Sequence, residues 1–238
     1  MRLVVLTKAK YKRRWKGADG RWRYDYYEKK GKQPAVEAPT KTYKQRELYS
    51  ERDMQRVVKL FGRRDKGQGG PQNIESRKQL DIVLTKTNVA FISAGRNPAI
   101  EADRALSDSD IAKRDKALKL DLKEMGYVWT PAMGHYGSLP EDSIIVMTHD
   151  SSDADMAKLG EKYNQDAVLF SHKGHNEMFI TTGDRKGEID AQGDGYSLVP
   201  DAEDYYTEVS IKGKKTKFSL ALDWGKSMLH KFVKVWRL

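Results

Sequence analysis

At 238 residues and a formal net charge of +10, with 38% hydrophobic and 33% charged residues, the chain can bury one sizeable core and leave part of itself as solvated surface. It has no cysteine, which excludes a disulfide scaffold, a cysteine nucleophile and any thiolate-bound zinc or iron–sulfur cluster. No apolar run approaches the ~18 residues of a transmembrane helix, and Met1–Thr7 is too short, and too soon followed by lysines, for a signal peptide, so a soluble, cytoplasmic protein is expected.

Charge divides unevenly along the chain. Residues 1–80 hold 23 Lys+Arg against 9 Asp+Glu, whereas residues 81–238 hold 21 against 25. This asymmetry points to a basic segment that meets a polyanion, joined to a mildly acidic domain.

Arg2–Thr7 reads as a short β-branched strand. Tyr11–Lys16 and Arg21–Glu28 are aromatic and basic runs on either side of Gly17-Ala18-Asp19-Gly20, a β-hairpin signal. Alternation puts Trp22, Tyr24 and Tyr26 on one face and Arg21, Arg23 and Asp25 on the other. Lys29–Thr40 reads as a connector. The spacing of Leu48, Met54, Val57, Val58 and Phe61 predicts a helix over 44–61, ended by Gly62. Arg63–Gln72 has the composition of a linker and sets a boundary between residues 1–72 and 79–238.

Beyond Gln79 the pattern becomes regular. Val89–Ser93 reads as a strand that ends in a turn at Gly95-Arg96-Asn97-Pro98. Ser107 or Asp108 caps a helix to about Met125, with Ile111, Leu118, Leu122 and Met125 on one face. Gly134–Pro140 reads as a Gly-rich loop, Ser143–Thr148 as a buried strand, and Ser152–Tyr163 as a short helix. Strands follow at Asp166–Phe170 and Met178–Thr181. Asp184–Tyr196 reads as turns. Tyr206–Ile211 and Thr216–Leu222 form a hairpin, and the amphipathic tail after Asp223 reads as a docked helix or a helix passing into a strand. Interleaved helices and strands of this kind predict an α+β (or mixed α/β) fold: one compact sheet-and-helix core, with the basic, aromatic hairpin and helix as an N-terminal segment.

Three groups of residues carry candidate chemistry. Lys12, Arg13, Arg14, Lys16, Arg21 and Arg23 neutralise phosphates, and Trp15, Trp22 and Tyr24 offer faces for unpaired bases. The alternatives are a small sheet with inward aromatics and solvated charges, or docking on a protein. Arg96 and Asn97 stand just beyond the carboxyl end of a strand, where open α/β sheets bind ligands, so Arg96 can clamp a phosphate or carboxylate and Asn97 can orient it. The plain reading of Asn97-Pro98 is a tight turn. His135 is an acid–base candidate. His172 and His175 do not follow a metal-binding spacing and read as surface histidines. His149-Asp150-Ser151 is one H-x-S without the second that a two-histidine phosphoesterase needs. No P-loop, dinucleotide-binding or nucleophile-elbow motif is present, so no cofactor and no metal are expected.

Three short motifs also occur together. Phe91-Ile92-Ser93-Ala94-Gly95-Arg96-Asn97-Pro98, Glu141-Asp142-Ser143-Ile144-Ile145-Val146 and Lys162-Tyr163-Asn164-Gln165-Asp166-Ala167-Val168 resemble, in order and spacing, a family of small bacterial and phage proteins of unknown function. Ser93 stands where the pattern has Thr, and the turn carries one extra residue. The resemblance covers about residues 89–170. It implies a compact α/β domain and a site around Arg96, Asn97, Glu141 and Gln165, and implies no reaction; Glu141 is a further acid–base candidate only for the enzyme alternative.

The expected function is binding: the basic N-terminal segment engages nucleic acid or another polyanion, in a phage or mobile-element setting. The alternatives are an enzyme acting on a phosphate-containing substrate, of nuclease or phosphodiesterase type, and a virion or assembly component that docks on a protein partner. Whether the chain is an enzyme is left open, and no membrane partner is expected.

Overall fold

The computed structural model describes residues 11–16, 22–27, 49–62, 64–97, 100–136, 139–149, 152–198 and 205–224. Arg21, Arg63, Pro98, the expected Arg2–Thr7 strand, the connector and the tail beyond Trp224 lie outside them. The chain divides into two compact units, Met1–Leu48 and Tyr49–Leu238.

The first unit holds the expected hairpin. Strands β1 (Tyr11–Lys16) and β2 (Trp22–Tyr27) pair antiparallel, in continuous register from Tyr11↔Tyr27 to Lys16↔Trp22.

The second unit begins with α1 (Glu51–Phe61), where the Ser50 side chain accepts the Asp53 N–H and Gly62 closes the last turn onto Val58. It starts later than the 44–61 expected because Ser50 caps it, and it buries Val57 and Phe61. A two-residue strand, β3 (Gly70–Pro71), leads to α2 (Arg77–Lys86), capped by Ser76. The sequence reading missed α2. Its buried Leu80, Val83 and Leu84 share one face, but Ile82 lies off it, so the apolar stripe is short and broken.

Strand β4 (Asn88–Ser93) is buried along its whole length. Helix α3 (Glu101–Arg104) is one turn, and α4 (Asp108–Glu124) starts at Ser107 as expected. Strands β5 (Val128–Tyr136) and β6 (Leu139–Thr148) run through most of the stretch expected to be a Gly-rich loop and pair as a hairpin. Helix α5 (Asp153–Lys162) precedes β7 (Ala167–His172) and β8 (His175–Ile180). Strand β9 (Ile189–Asp194) occupies part of the segment read as turns, and β10 (Tyr196–Leu198) begins at its last residue. The hairpin of β11 (Tyr205–Ile211) and β12 (Lys214–Leu220) is followed by β13 (Asp223–Trp224). The β7–β8 and β11–β12 turns each carry two residues of positive φ, Lys173-Gly174 and Lys212-Gly213, the geometry that matches strand twist.

The α+β expectation is overturned. The architecture is one large sheet in which every pairing is antiparallel except that of β3 with β5. Strand order is β10-β12-β11-β5-β6-β4-β7-β8-β9-β13. Only Gly195 separates β9 from β10, and only Ala221-Leu222 separates β12 from β13. The two ends of the sheet are therefore continuations of the same two strands: β10 pairs with β12, and β9 pairs with β13. The sheet curls into a nearly closed barrel, and closure removes the exposed edges that an open sheet would leave.

The seam has its own bonds. The Ala221 N–H donates to Gly195 O at 3.0 Å. The Asn176 side chain on β8 donates through Nδ2 to Gly195 O at 2.7 Å and to Ala221 O at 3.1 Å. Gly193 is required by close approach, since a Cβ there would lie 2.2 Å from Ala221 O.

Alternation along the strands gives two cores. Val89, Phe91, Ile145, Met147, Val209, Ile211 and Phe218 face α1 and α2. Helix α2 lies inside the curl: Ser171 of β7 bonds Leu84 O, and Tyr196 of β10 bonds Asp81. On the other face, Ala90, Ile92, Ile144, Val146, Val168 and Phe170 pack under Leu118 and Leu122 of α4 and Met156 and Leu159 of α5.

Candidate functional site

The three motif segments, remote in sequence, meet at the carboxyl end of β4. Ser93 and Ser143 are register partners, and Glu141 extends the same face of β6 past Ile145 and Ser143. The Ser93 hydroxyl donates to Glu141 Oε1 at 2.5 Å. The Ser93 backbone N–H donates to Gln165 Oε1 at 3.1 Å. Gly95 is the floor of this arrangement: a Cβ on it would lie 2.2 Å from Glu141 Oε1. Burial of the Glu141 carboxyl pushes its pKa above the ordinary glutamate value. Hydrogen bonds from Ser93 and Gly95 oppose that rise, and the charges of Asp142 and Asp166 add to it. Glu141 can therefore hold a proton at a pH where a free carboxyl has lost it. Ser93, 2% exposed, is closed to an external reactant.

Asn97 anchors the adjoining loop. Its Nδ2 donates to Asn164 O and to Asp166 Oδ1, each at 2.7 Å, and its backbone N–H donates to Asp103 Oδ2 at 3.1 Å. Asp103 also accepts from Arg114 Nη1 at 2.8 Å and from Asn164 Nδ2 at 2.9 Å. Burial alone would raise the Asp103 pKa. The bonds from Arg114, Asn164 and the Asn97 N–H outweigh it together and hold the group below the usual aspartate value. Arg114 also donates to Tyr163 O. Asn164 takes a left-handed conformation, φ 55°, which asparagine tolerates better than most residues. Sequence reasoning found Asn97 but missed Asp103, Arg114, Asn164 and Asp166. The available signal was that a buried asparagine must have partners.

Arg96 is exposed and turned away from this junction. Its Nε and Nη2 donate to Leu106 O at 3.0 and 2.9 Å, and Nη2 pairs with Asp108 at 2.6 Å. The guanidinium holds the start of α4. His135 is not brought to Glu141 either. Glu141 is the register partner of Gly134, so His135, one residue on, stands on the opposite face of the sheet, stacked on Tyr206 at 4.1 Å. Burial pushes the His135 pKa down, Glu208 opposes this, and Lys217 and Lys215 add to it.

The other histidines have acidic neighbours. His172 lies 3.5 Å from Asp153, and His175 bridges Asp194 at 3.0 Å and Glu177 at 3.3 Å. Among the described residues no group of three His, Asp or Glu is placed to hold a metal ion. A cavity of about 270 Å³ lies between α4 and α5, and one of about 150 Å³ between α1 and α2. Neither is lined by Arg96, Asn97, His135, Glu141 or Gln165. No helix among the described residues is long and apolar enough to cross a membrane.

In the first unit the backbone register orders the expected nucleic-acid-binding residues. Lys12 is opposite Tyr26, Arg14 opposite Tyr24, and Lys16 opposite Trp22. Directly opposed residues share a face, so these six positions lie on one face of the ladder. Tyr11, Arg13, Trp15, Arg23, Asp25 and Tyr27 take the other. The alternation expected within β2 holds, with Trp22, Tyr24 and Tyr26 on one face and Arg23 and Asp25 on the other, and β1 adds Lys12, Arg14 and Lys16 to the aromatic face.

Residues 95–168 match the model of an uncharacterised family, described as Protein of unknown function (DUF3293). The chain is similar to that family from the end of β4 to the start of β7, about a third of its length. The matched stretch contains Asn97, Asp103, Arg114, Glu141, Asn164, Gln165 and Asp166, so it includes the junction except for Ser93. No curated protein matches the chain.

Proposed function

We propose that this protein binds nucleic acid, or a polyanion of like charge density, through its basic N-terminal unit, with the barrel as the carrier of that unit. The division of charge between the two units carries the reading. Met1–Leu48 holds 15 Lys+Arg against 5 Asp+Glu, while Tyr49–Leu238 holds 29 of each. The whole net charge of +10 therefore resides in the smaller unit. Charge concentrated on one short segment gains affinity for phosphates by counterion release, while the neutral barrel adds no long-range repulsion or attraction. The alternative of a phosphate-processing enzyme draws less support, because Arg96, its anion clamp, is engaged by Leu106 O and Asp108.

The test is fluorescence anisotropy of the full chain with labelled DNA and RNA from 50 to 300 mM salt. Binding is expected to weaken with a slope in log K against log salt steeper than about −3, and changing Lys12, Arg13, Arg14, Lys16, Arg21 and Arg23 together to Gln should abolish it. A salt-independent affinity, or one untouched by the six changes, would overturn the reading.

A further inference from the structure

We infer that the ligand of the N-terminal unit is a single strand of nucleic acid, held unstacked along the β1–β2 face that carries Lys12, Arg14, Lys16, Trp22, Tyr24 and Tyr26. This rests on the proposed function and names its substrate class. The observation is the register: three cationic positions on one strand stand opposite three aromatic positions on the other, with no acidic residue among the six. The opposite face includes Asp25 and mixes aromatic with basic positions on both strands.

The spacing selects the ligand. Positions two residues apart recur about every 7 Å along an antiparallel strand, and neighbouring strands lie about 4.8 Å apart. The face therefore presents a row of three aromatic positions beside a row of three cationic positions, both with a period of about 7 Å. A strand within a stacked duplex advances about 3.4 Å per nucleotide, half that period, and its bases are paired and covered. A strand drawn out to about 7 Å per nucleotide matches the period one to one. Each unstacked base then meets one aromatic position and each phosphate one cationic position, without reading the sequence. Ring stacking needs an uncovered base, so the arrangement favours single-stranded DNA or RNA over duplex.

The full chain is titrated with labelled dT12, U12, a 12-base-pair duplex and heparin. Binding of dT12 or U12 at least tenfold tighter than the duplex is expected. The triple variant W22A/Y24A/Y26A should lose single-strand affinity by at least about 100-fold, since each ring lost costs about 5- to 150-fold. The variant Y11A/Y27A on the opposite face should stay within about threefold. W22F/Y24F/Y26F, which keeps the rings, should stay within about fivefold, separating stacking from a failure to fold. Equal or tighter duplex binding, equal losses from the two faces, or loss in the Phe variant would overturn the inference and leave the polyanion reading standing. Binding of heparin alone would do the same. Binding of none of the four would overturn both.

Discussion

Asn176 tests the closure of the barrel more directly than any other single residue. It is fully buried on β8, and its Nδ2 bonds the carbonyls of Gly195 and Ala221, one from each side of the seam. Asn176→Ala removes two hydrogen bonds, each worth about 1 kcal/mol net, and leaves two carbonyl groups with less than their full complement of donors, at about 1–3 kcal/mol where they are screened from water. Gly195 O retains the Ala221 N–H, so the lower part of that range applies to it. The expected loss is about 2–4 kcal/mol, or about 5–10 °C in Tm for a unit of this size. Asn176→Asp should cost at least as much. It cannot donate, and it sets a charge where Oδ1 already has no partner among the described residues. Urea unfolding followed by tryptophan fluorescence reads the change, with Trp129, 4% exposed in the sheet, as reporter. A loss below about 0.5 kcal/mol in both variants would refute the claim that this side chain closes the seam.

Arg114→Ala should destabilise by about 3–5 kcal/mol, because it strands the buried Asp103 carboxylate, and a denaturation midpoint shift checks it. At Glu141 the folded-state pKa lies above the unfolded value of 4.5, so its contribution is present below 4.5 and is lost as pH rises through the folded pKa. Glu141→Gln keeps an acceptor for Ser93 and should flatten that fall in a pH series of melting curves; an unchanged slope would count against a protonated Glu141. His175 has its pKa raised by its bond to Asp194, with burial opposing and Asp194 and Glu177 adding charge. Its stabilisation is present below pH 6.5 and is lost as pH rises through the folded value, so His175→Gln should narrow the stability difference between pH 6 and pH 8. Nuclear magnetic resonance titration of the His175 ring would give the folded value directly.

Much of the local structure was legible because it is set by local chemistry. Ser107 caps α4 and Ser152 stands at the N-cap of α5, as their side chains and spacing indicate. Ser143–Thr148 is a buried strand, and Tyr11–Lys16 pairs antiparallel with Trp22–Tyr27. The motif residues Asn97, Glu141 and Gln165 were legible as a set, although Ser93, read as a departure from a pattern, proved to join two of them, its hydroxyl donating to Glu141 and its backbone N–H to Gln165. Arg96 was misplaced because its guanidinium reaches the α4 start, ten and twelve residues on, and no short motif shows that path.

What the sequence determines by itself here is whatever depends on near neighbours and on summed charge: caps, tight turns, alternation, and a basic first unit beside a neutral second. The tertiary structure decided everything that depends on which strands meet. Ile189–Asp194, with its Gly and Asp residues, has weak strand character of its own and becomes a strand because β8 and β13 pair with it. Helix α2 went unread because its few apolar residues are held in place by packing against strands remote in sequence. The change from an α+β layer to a nearly closed antiparallel barrel turns on hydrogen bonds between segments far apart in the chain, such as β10 with β12 and β9 with β13. Such pairings are selected by the free energy of the whole sheet and leave no local pattern to read.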